Sequence, residues 1–197
     1  MAKRVLIIAS GPTELSALPR LLEHLDSEGT GVDIRIPPGH RQLRPNVLVP
    51  IIISAQYDFQ EGPPDKCVIL VDTDGKSPQE VINPIRQGLQ RTQWPQAFPG
   101  VKFAYAQWHL EAWFFADAAN LRTYLGRSLG NVDPNEPDQI QNPKHHLQQL
   151  LGNLTYTAHV ASEIAAHLDP RTIIHRSPSF RNFLETIRNG DIVDRGD

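Results

Sequence analysis

The chain has 197 residues, 40% of them hydrophobic and 21% charged, with a formal net charge of −3. That is ordinary for a globular protein of one domain with room for an appended lobe, and it excludes a global basic field drawing the chain to nucleic acid or membrane; such contacts need a local patch or a partner. One cysteine, Cys67, excludes a disulfide framework and a Cys-rich zinc site.

At the amino end, Met1-Ala2-Lys3-Arg4 leads into only five apolar residues, 5–9. That is too short for a signal peptide or a membrane span, so a cytoplasmic chain without membrane attachment is expected. The same run lacks polar alternation and reads as a strand buried on both faces. It breaks at Ser10-Gly11-Pro12, after which Thr13 is placed to cap a helix carrying Leu15, Leu18, Leu21, Leu22 and Leu25. Pro19 should kink that helix and Glu28-Gly29 should end it. Strand, tight turn and helix are the opening unit of an α/β fold.

Residues 32–50 carry Pro37, Pro38, Gly39 and Pro45, and read as a short strand and an irregular loop. Arg35, His40, Arg41 and Arg44 give this loop positive charge, either as a solvated surface or as a phosphate-contacting loop near an acidic site. Residues 47–54 fit a second strand or the start of a helix, and Pro50 leaves that choice open.

The centre of the chain is Cys67-Val68-Ile69-Leu70-Val71-Asp72-Thr73-Asp74-Gly75. A doubly buried strand ends in two carboxylates, at the edge where open α/β sheets place their ligands. Alternation along an extended strand would point Asp72 and Asp74 the same way. Like charges so close repel unless a cation stands between them, most simply hydrated Mg²⁺. Asp74-Gly75 is equally compatible with plain turn chemistry.

Ser77-Pro78 then reads as an N-cap with proline at the first helical position. The helix runs through Val81, Ile85 and Leu89 despite Pro84 and stops before Trp94-Pro95. Residues 101–106 form a further strand. It enters Gln107-Trp108-His109-Leu110-Glu111-Ala112-Trp113-Phe114-Phe115-Ala116-Asp117, an apolar and aromatic run that should be a buried helix. Glu111 stands out there, since carboxylates are seldom buried without a partner or a metal. His109 either lines a site or packs, and Asp117, five intervening residues after Glu111, falls elsewhere on a helix and is the weakest candidate.

From about Leu121 the character changes. Residues 131–143 are a polar, proline-rich loop with Asp133, Glu136 and Asp138. Pro143-Lys144 opens a helix through Leu147, Leu150 and Leu151, with His145-His146 on its solvated face. A second helix covers roughly 158–168. A third follows Ser177-Pro178, carrying Phe180, Phe183, Leu184 and Ile187 until Gly190. The expected organisation is an α/β core over residues 1–125, a helical lobe over 126–190 packed on it in the same domain, and a charged tail over 191–197.

Glu14, the pair Asp72 and Asp74, and Glu111 each follow a separate apolar strand. If those strands lie parallel and adjacent, the four carboxylates gather at one edge. An all-oxygen cluster suits Mg²⁺ or Mn²⁺ and the chemistry of phosphoryl or phosphodiester transfer. Arg171, His175, Arg176 and Arg181 cluster around the start of the last helix, and Arg176 and Arg181 are the candidate contacts to nucleic acid or phosphate.

Three segments carry a family resemblance: Gly11-Pro12-Thr13-Glu14 after a short strand, the strand ending Asp72-Thr73-Asp74-Gly75, and Glu111-Ala112-Trp113-Phe114-Phe115-Ala116-Asp117. Together they resemble Toprim-like proteins. More narrowly they are similar to the family catalogued as domain of unknown function 4276, related to the nuclease parts of overcoming-lysogenisation-defect proteins. Pro143-Lys144 and Arg176-Ser177-Pro178-Ser179-Phe180 resemble that family's later landmarks, so the likeness covers most of the chain.

The resemblance implies a Toprim-type α/β fold: a mostly parallel central sheet, helices on both faces, and an acidic Mg²⁺ site at the strand ends. It implies Glu14, Asp72, Asp74 and Glu111 as ligands and catalytic acids of a metal-dependent nuclease. The implied setting is bacterial phage defence or mobile elements, beside an ATPase partner. One departure stands out: Toprim nucleases usually carry a glutamate just before the glycine of the first turn, where this chain has Ser10. Glu14 is the candidate substitute. The same departure supports an alternative, a non-catalytic binding or regulatory subunit of an ATPase partner.

Val71-Asp72-Thr73-Asp74-Gly75 also resembles the opening motif of haloacid-dehalogenase-like phosphatases, with Asp72 as nucleophile and Asp74 as general acid. Against it, that motif normally follows the amino-terminal strand, and the matching late acid, Asp191, lies in a charged tail with no apolar strand before it.

Overall fold

The missing polar alternation in residues 5–9 and 67–71 has a direct cause in the computed structural model, which describes residues 3–40, 42–58, 63–94, 100–130 and 132–189. Both faces of the sheet are covered. The strands are β1 (Lys3–Ile8), β2 (Thr30–Arg35), β3 (Lys66–Asp72) and β4 (Val101–Ala106). They pair in the order β2-β1-β3-β4, every pair parallel. Leu6, Ile8, Cys67, Ile69 and Val71 face one side, and Val5, Ile7, Val68, Leu70 and Ala104 the other. Such a strand has no solvent side to mark.

The first face is covered by α3 (Pro45–Asp58) through Leu48 and Ile52, and by α4 (Pro78–Gln90) through Ile82, Ile85 and Leu89. The second is covered by α1 (Pro12–Leu21) with its short extension α2 (His24–Ser27), and by α5 (Glu111–Ala116) and α6 (Ala118–Leu125). Onto this side also pack α7 (Pro143–Leu151), α8 (Ala158–His167), α9 (Pro170–Arg176) and α10 (Pro178–Arg188). A Toprim-type α/β fold with a parallel sheet and helices on both faces is what the sequence implied.

Local differences have local causes. Residues 45–58 are helical because Leu48, Ile52 and Ala55 repeat at helical spacing toward the sheet, and the helix accommodates Pro50 in its interior. Gly88 lets that helix approach α4: a Cβ there would stand 2.3 Å from the Pro45 ring. The first helix begins at Pro12 after Gly11, one residue before the expected Thr13 cap. The unexpected α9 starts at Pro170, with the Asp169 carboxylate accepting the Arg171 N–H at 3.0 Å. Ser77 and Glu80 form a reciprocal capping box on α4, as the motif suggested.

The carboxy-terminal helix is fastened to the sheet by polar as well as apolar contacts. Trp113 lies against Phe180 and Phe183, with ring centroids 4.9 and 5.5 Å away. Its indole N–H donates to Ser179 Oγ at 2.8 Å, and the Asp138 carboxylate accepts from Ser177 Oγ, Ser179 Oγ and the Ser179 N–H. At the far end, buried Lys66 donates to the carbonyls of Thr186 and Asn189, and Lys3 to those of Ile187 and Arg188. These are the last carbonyls of α10, which no helical N–H satisfies. Among the described residues no helix is long and apolar enough to cross a membrane. The expected tail, residues 191–197, lies outside the described residues, as does Arg41.

Candidate metal centre

Because β1, β3 and β4 are adjacent and parallel, their carboxyl ends open on one edge. Glu14, in the first turn of α1, turns back over that edge and is only 6% exposed. Asp72 is the last residue of β3 and is half-buried, and Glu111, the first residue of α5, is 2% exposed. Ser10, in the turn between β1 and α1, joins two of them: its Oγ donates to Glu14 Oε1 at 2.8 Å and lies 3.4 Å from Asp72 Oδ2. One hydroxyl carries one proton, so it donates to one carboxylate at a time, and a proton on Asp72 would complete the second link.

The Asp72 carboxyl is held well above the usual carboxylate range, first by burial, then by the charges of Glu14 and Glu111, with Asp74 adding least. Burial also raises Glu111, against the opposing pull of Lys144 on α7. Tyr156, in the loop between α7 and α8, has its hydroxyl pushed up by burial and by the charge of Glu111. The two side chains polarise one another without meeting hydrogen-bond geometry. Glu111 Oε1 and the Tyr156 hydroxyl are therefore buried with no hydrogen-bond partner among the described residues.

Asp74 behaves differently. The strand stops at Asp72, and the chain turns through Asp74 (φ 49°) and Gly75 (φ 79°), so the alternation that would align the two aspartates does not apply. The Asp74 side chain is 70% exposed and stands 3.0 Å from His109 Nε2. The turn is stapled to the loop after β4: Trp108, itself at φ 63°, donates its N–H to Thr73 Oγ1 at 2.9 Å, and the Asp74 N–H donates to the Trp108 carbonyl at 3.1 Å. A Cβ on Gly75 would fall 2.6 Å from the Trp108 ring, so space and backbone both demand glycine there. Left-handed non-glycine residues held by their surroundings are a form of strain often found at functional sites.

A cleft of about 520 Å³ opens on this edge, lined by Ser10, Asp72, Thr73 and Asp74, the 42–45 segment with Arg44, and α4. Glu14 and Glu111 lie behind that lining. The acids thus run from solvent inward, Asp74 at the mouth, Asp72 at the wall, Glu14 and Glu111 in the interior.

The chemistry of this set fits a hard divalent cation. The donors are all carboxylate oxygens, Asp72 is driven toward protonation by burial and then by its neighbours, and one Glu111 oxygen is buried without a partner among the described residues. As they stand, no three His, Cys, Asp or Glu side chains among the described residues are arranged to hold a metal ion together. Mg²⁺ needs no such cage, since it keeps several waters and uses one or two carboxylates.

Other candidates are occupied in the framework. Arg176 donates to the Ala116 carbonyl at the end of α5, and Arg181 donates to those of Ile174 and His175; neither lines the cleft. Asp117 accepts from Asn120 and from the Asp169 N–H, capping α6 and fixing the start of α9. Asp191 lies outside the described residues. Tyr156 and the Thr73–Trp108 staple were not foreseen. Lys144 was noted only as a family landmark, because nothing local in the sequence ties it to Glu111.

Three comparisons bear on the chain. A family model described as Domain of unknown function (DUF4276) matches residues 11–188. The structure of the C-terminal region of the Burkholderia pseudomallei OLD protein is similar, with 18% identity, 95% of this chain and 98% of that chain covered, and a TM-score of 0.53. The C-terminal region of the Xanthomonas campestris pv. campestris OLD protein, phased with platinum, is similar at 17% identity, with 94% and 92% covered and a TM-score of 0.50. At these identities the likeness is one of fold. No curated protein matches the chain.

Proposed function

The chain belongs to the DUF4276 family and shares its fold with OLD C-terminal regions, and from that premise we propose that it is a Mg²⁺- or Mn²⁺-dependent enzyme of Toprim type that cleaves nucleic-acid phosphodiesters. The observation that carries this reading is the convergence of three acids from three elements on one strand edge: Glu14 from α1, Asp72 from β3 and Glu111 from α5, with Asp72 pushed up by burial and then by the charges of the other two. Without a cation the charged form of Asp72 is disfavoured at this edge. A bound divalent cation would offset that charge, polarise a phosphate oxygen and acidify a coordinated water.

Asp72 and Asp74, which line the cleft, would hold the cation. Glu14, oriented by Ser10, would supply a further oxygen or take the proton of the attacking water. Glu111 stands near Asp72, its carboxyl raised by burial and pulled back by Lys144. The family resemblance supplies the setting: phage defence or mobile elements in the bacterial cytoplasm, beside an ATPase partner.

Two observations favour a second reading, a binding or regulatory subunit without catalysis. The Ser10 hydroxyl donates to Glu14, and among the described residues no three His, Cys, Asp or Glu side chains are arranged to hold a metal ion as they stand. Calorimetric titration of Mg²⁺ and Mn²⁺ into the wild type and the Asp72→Asn/Asp74→Asn variant separates the two, with nicking of plasmid and single-stranded DNA followed on the same samples. Metal binding and nicking that vanish together in the variant are expected. Absence of metal binding in the wild type would remove the catalytic reading and leave the scaffold.

A further inference from the structure

We propose that the cleft beside Asp72 is a nucleotide subsite that admits an unpaired nucleotide, its base in the apolar slot and its phosphate on Arg44 and Lys76. The inference rests on the acidic-site reading only for where the reacting phosphate would lie; base binding stands on the cleft itself. At about 520 Å³ the cleft falls within the size range of small-molecule pockets. Its walls divide by chemistry. Leu43 and Pro45 on one side and Val81 and Pro84 on α4 on the other present apolar surface. Arg44 and Lys76 supply the cationic side chains of the lining. The Arg44 guanidinium is oriented by Gln42 Oε1, which accepts from Nε at 3.2 Å and Nη2 at 2.8 Å.

An apolar slot whose lining also carries two cations matches a nucleobase attached to a phosphate. Asp72 and Asp74 share the lining and repel a phosphate beside them, so the anion belongs on the cationic side chains, Arg44 and Lys76. A base stacked in a duplex cannot enter a concave slot, whereas an unpaired one can. With a net charge of −3 the chain has no general attraction for polyanions, so affinity must come from these local contacts.

The test is fluorescence anisotropy of a labelled tetrathymidylate with the full chain in EDTA. A blunt hairpin duplex and thymidine monophosphate serve as competitors, and thermal melts check the folding of each variant. Lys76→Glu, at an exposed position, and Val81→Glu, at a half-exposed one, should each weaken tetrathymidylate binding by about tenfold or more. Asp72→Asn/Asp74→Asn should bind at least as tightly as the wild type. Competition by the monophosphate at equal affinity supports the subsite and assigns it to free nucleotides; weaker competition supports a strand. No binding, full affinity in both cleft variants, or a hairpin that competes as well as the single strand would overturn the inference. Lost metal response with retained tetrathymidylate binding removes the catalytic reading alone, and the reverse removes this one alone.

Discussion

At the scale of residues, the informative side chain is Asp72, because its environment makes the charged form costly. Its carboxyl pKa is higher in the folded chain than in the unfolded one, so the folded state binds the proton more tightly. The associated stability is fully present below the ordinary carboxylate pKa of about 4 and is lost as pH rises toward the raised folded value. Asp72→Asn removes that loss. In EDTA at pH 8 the variant should therefore melt above the wild type, and the gap should close as the pH is lowered toward 4. Added Mg²⁺ should raise the melting temperature of the wild type and leave the variant unmoved. A variant that melts below the wild type at pH 8 would mean that the carboxylate is already compensated within the protein.

At the scale of elements, the acids are positioned by how helices and loops are anchored. The buried Lys66 ammonium ties the start of β3 to the end of α10, and the Arg188–Glu28 pair holds the same helix end from outside with contacts of 2.6 and 2.8 Å. Lys66→Met keeps the length and apolar stem but leaves α10 carbonyls without a donor. A loss of about 2 kcal/mol is expected, read as a lower urea midpoint with an unchanged slope. Lys66 begins the strand that ends at Asp72, so the same variant reports whether anchoring at the amino end of β3 is felt at the carboxyl end. Unchanged metal affinity in folded Lys66→Met would show that the acidic edge is organised locally, by Ser10 and the Thr73–Trp108 staple.

At the scale of the whole molecule, one face of the sheet shares its apolar cover between α1, α5 and α6 and the carboxy-terminal helices. Val160, Ile164, Phe180, Phe183, Leu184 and Ile187 belong to the same buried cluster as Val5, Ile7, Val68 and Leu70. We propose that residues 126–189 fold with the sheet rather than beside it. Unfolding followed by far-ultraviolet circular dichroism and by tryptophan fluorescence should then give coincident single transitions. Two separated transitions would make the helical part a domain of its own.

How much of this was legible follows from the range of each interaction. Unalternating apolar runs, Ser77-Pro78 and the aromatic run around Glu111 depend on neighbours a few residues away, and they gave the strands, the α4 cap and the buried carboxylate from the sequence alone. The family motifs added the fold and marked the four acids as candidates. The meeting of Ser10 and Asp72, the facing of Tyr156 and Glu111, and the turning of Asp74 out of the strand to His109 join residues far apart in the chain. So do the engagement of Arg176 and Arg181 with carbonyls and the cleft between Pro45 and α4. By itself the sequence determined that Glu111 carries charge into an apolar interior, since its apolar flanks are local, while buried Lys66 and Asp117 carry no such local mark. Only the tertiary structure decided which of those charges face one another, because electrostatic coupling depends on distance in space and not on separation along the chain.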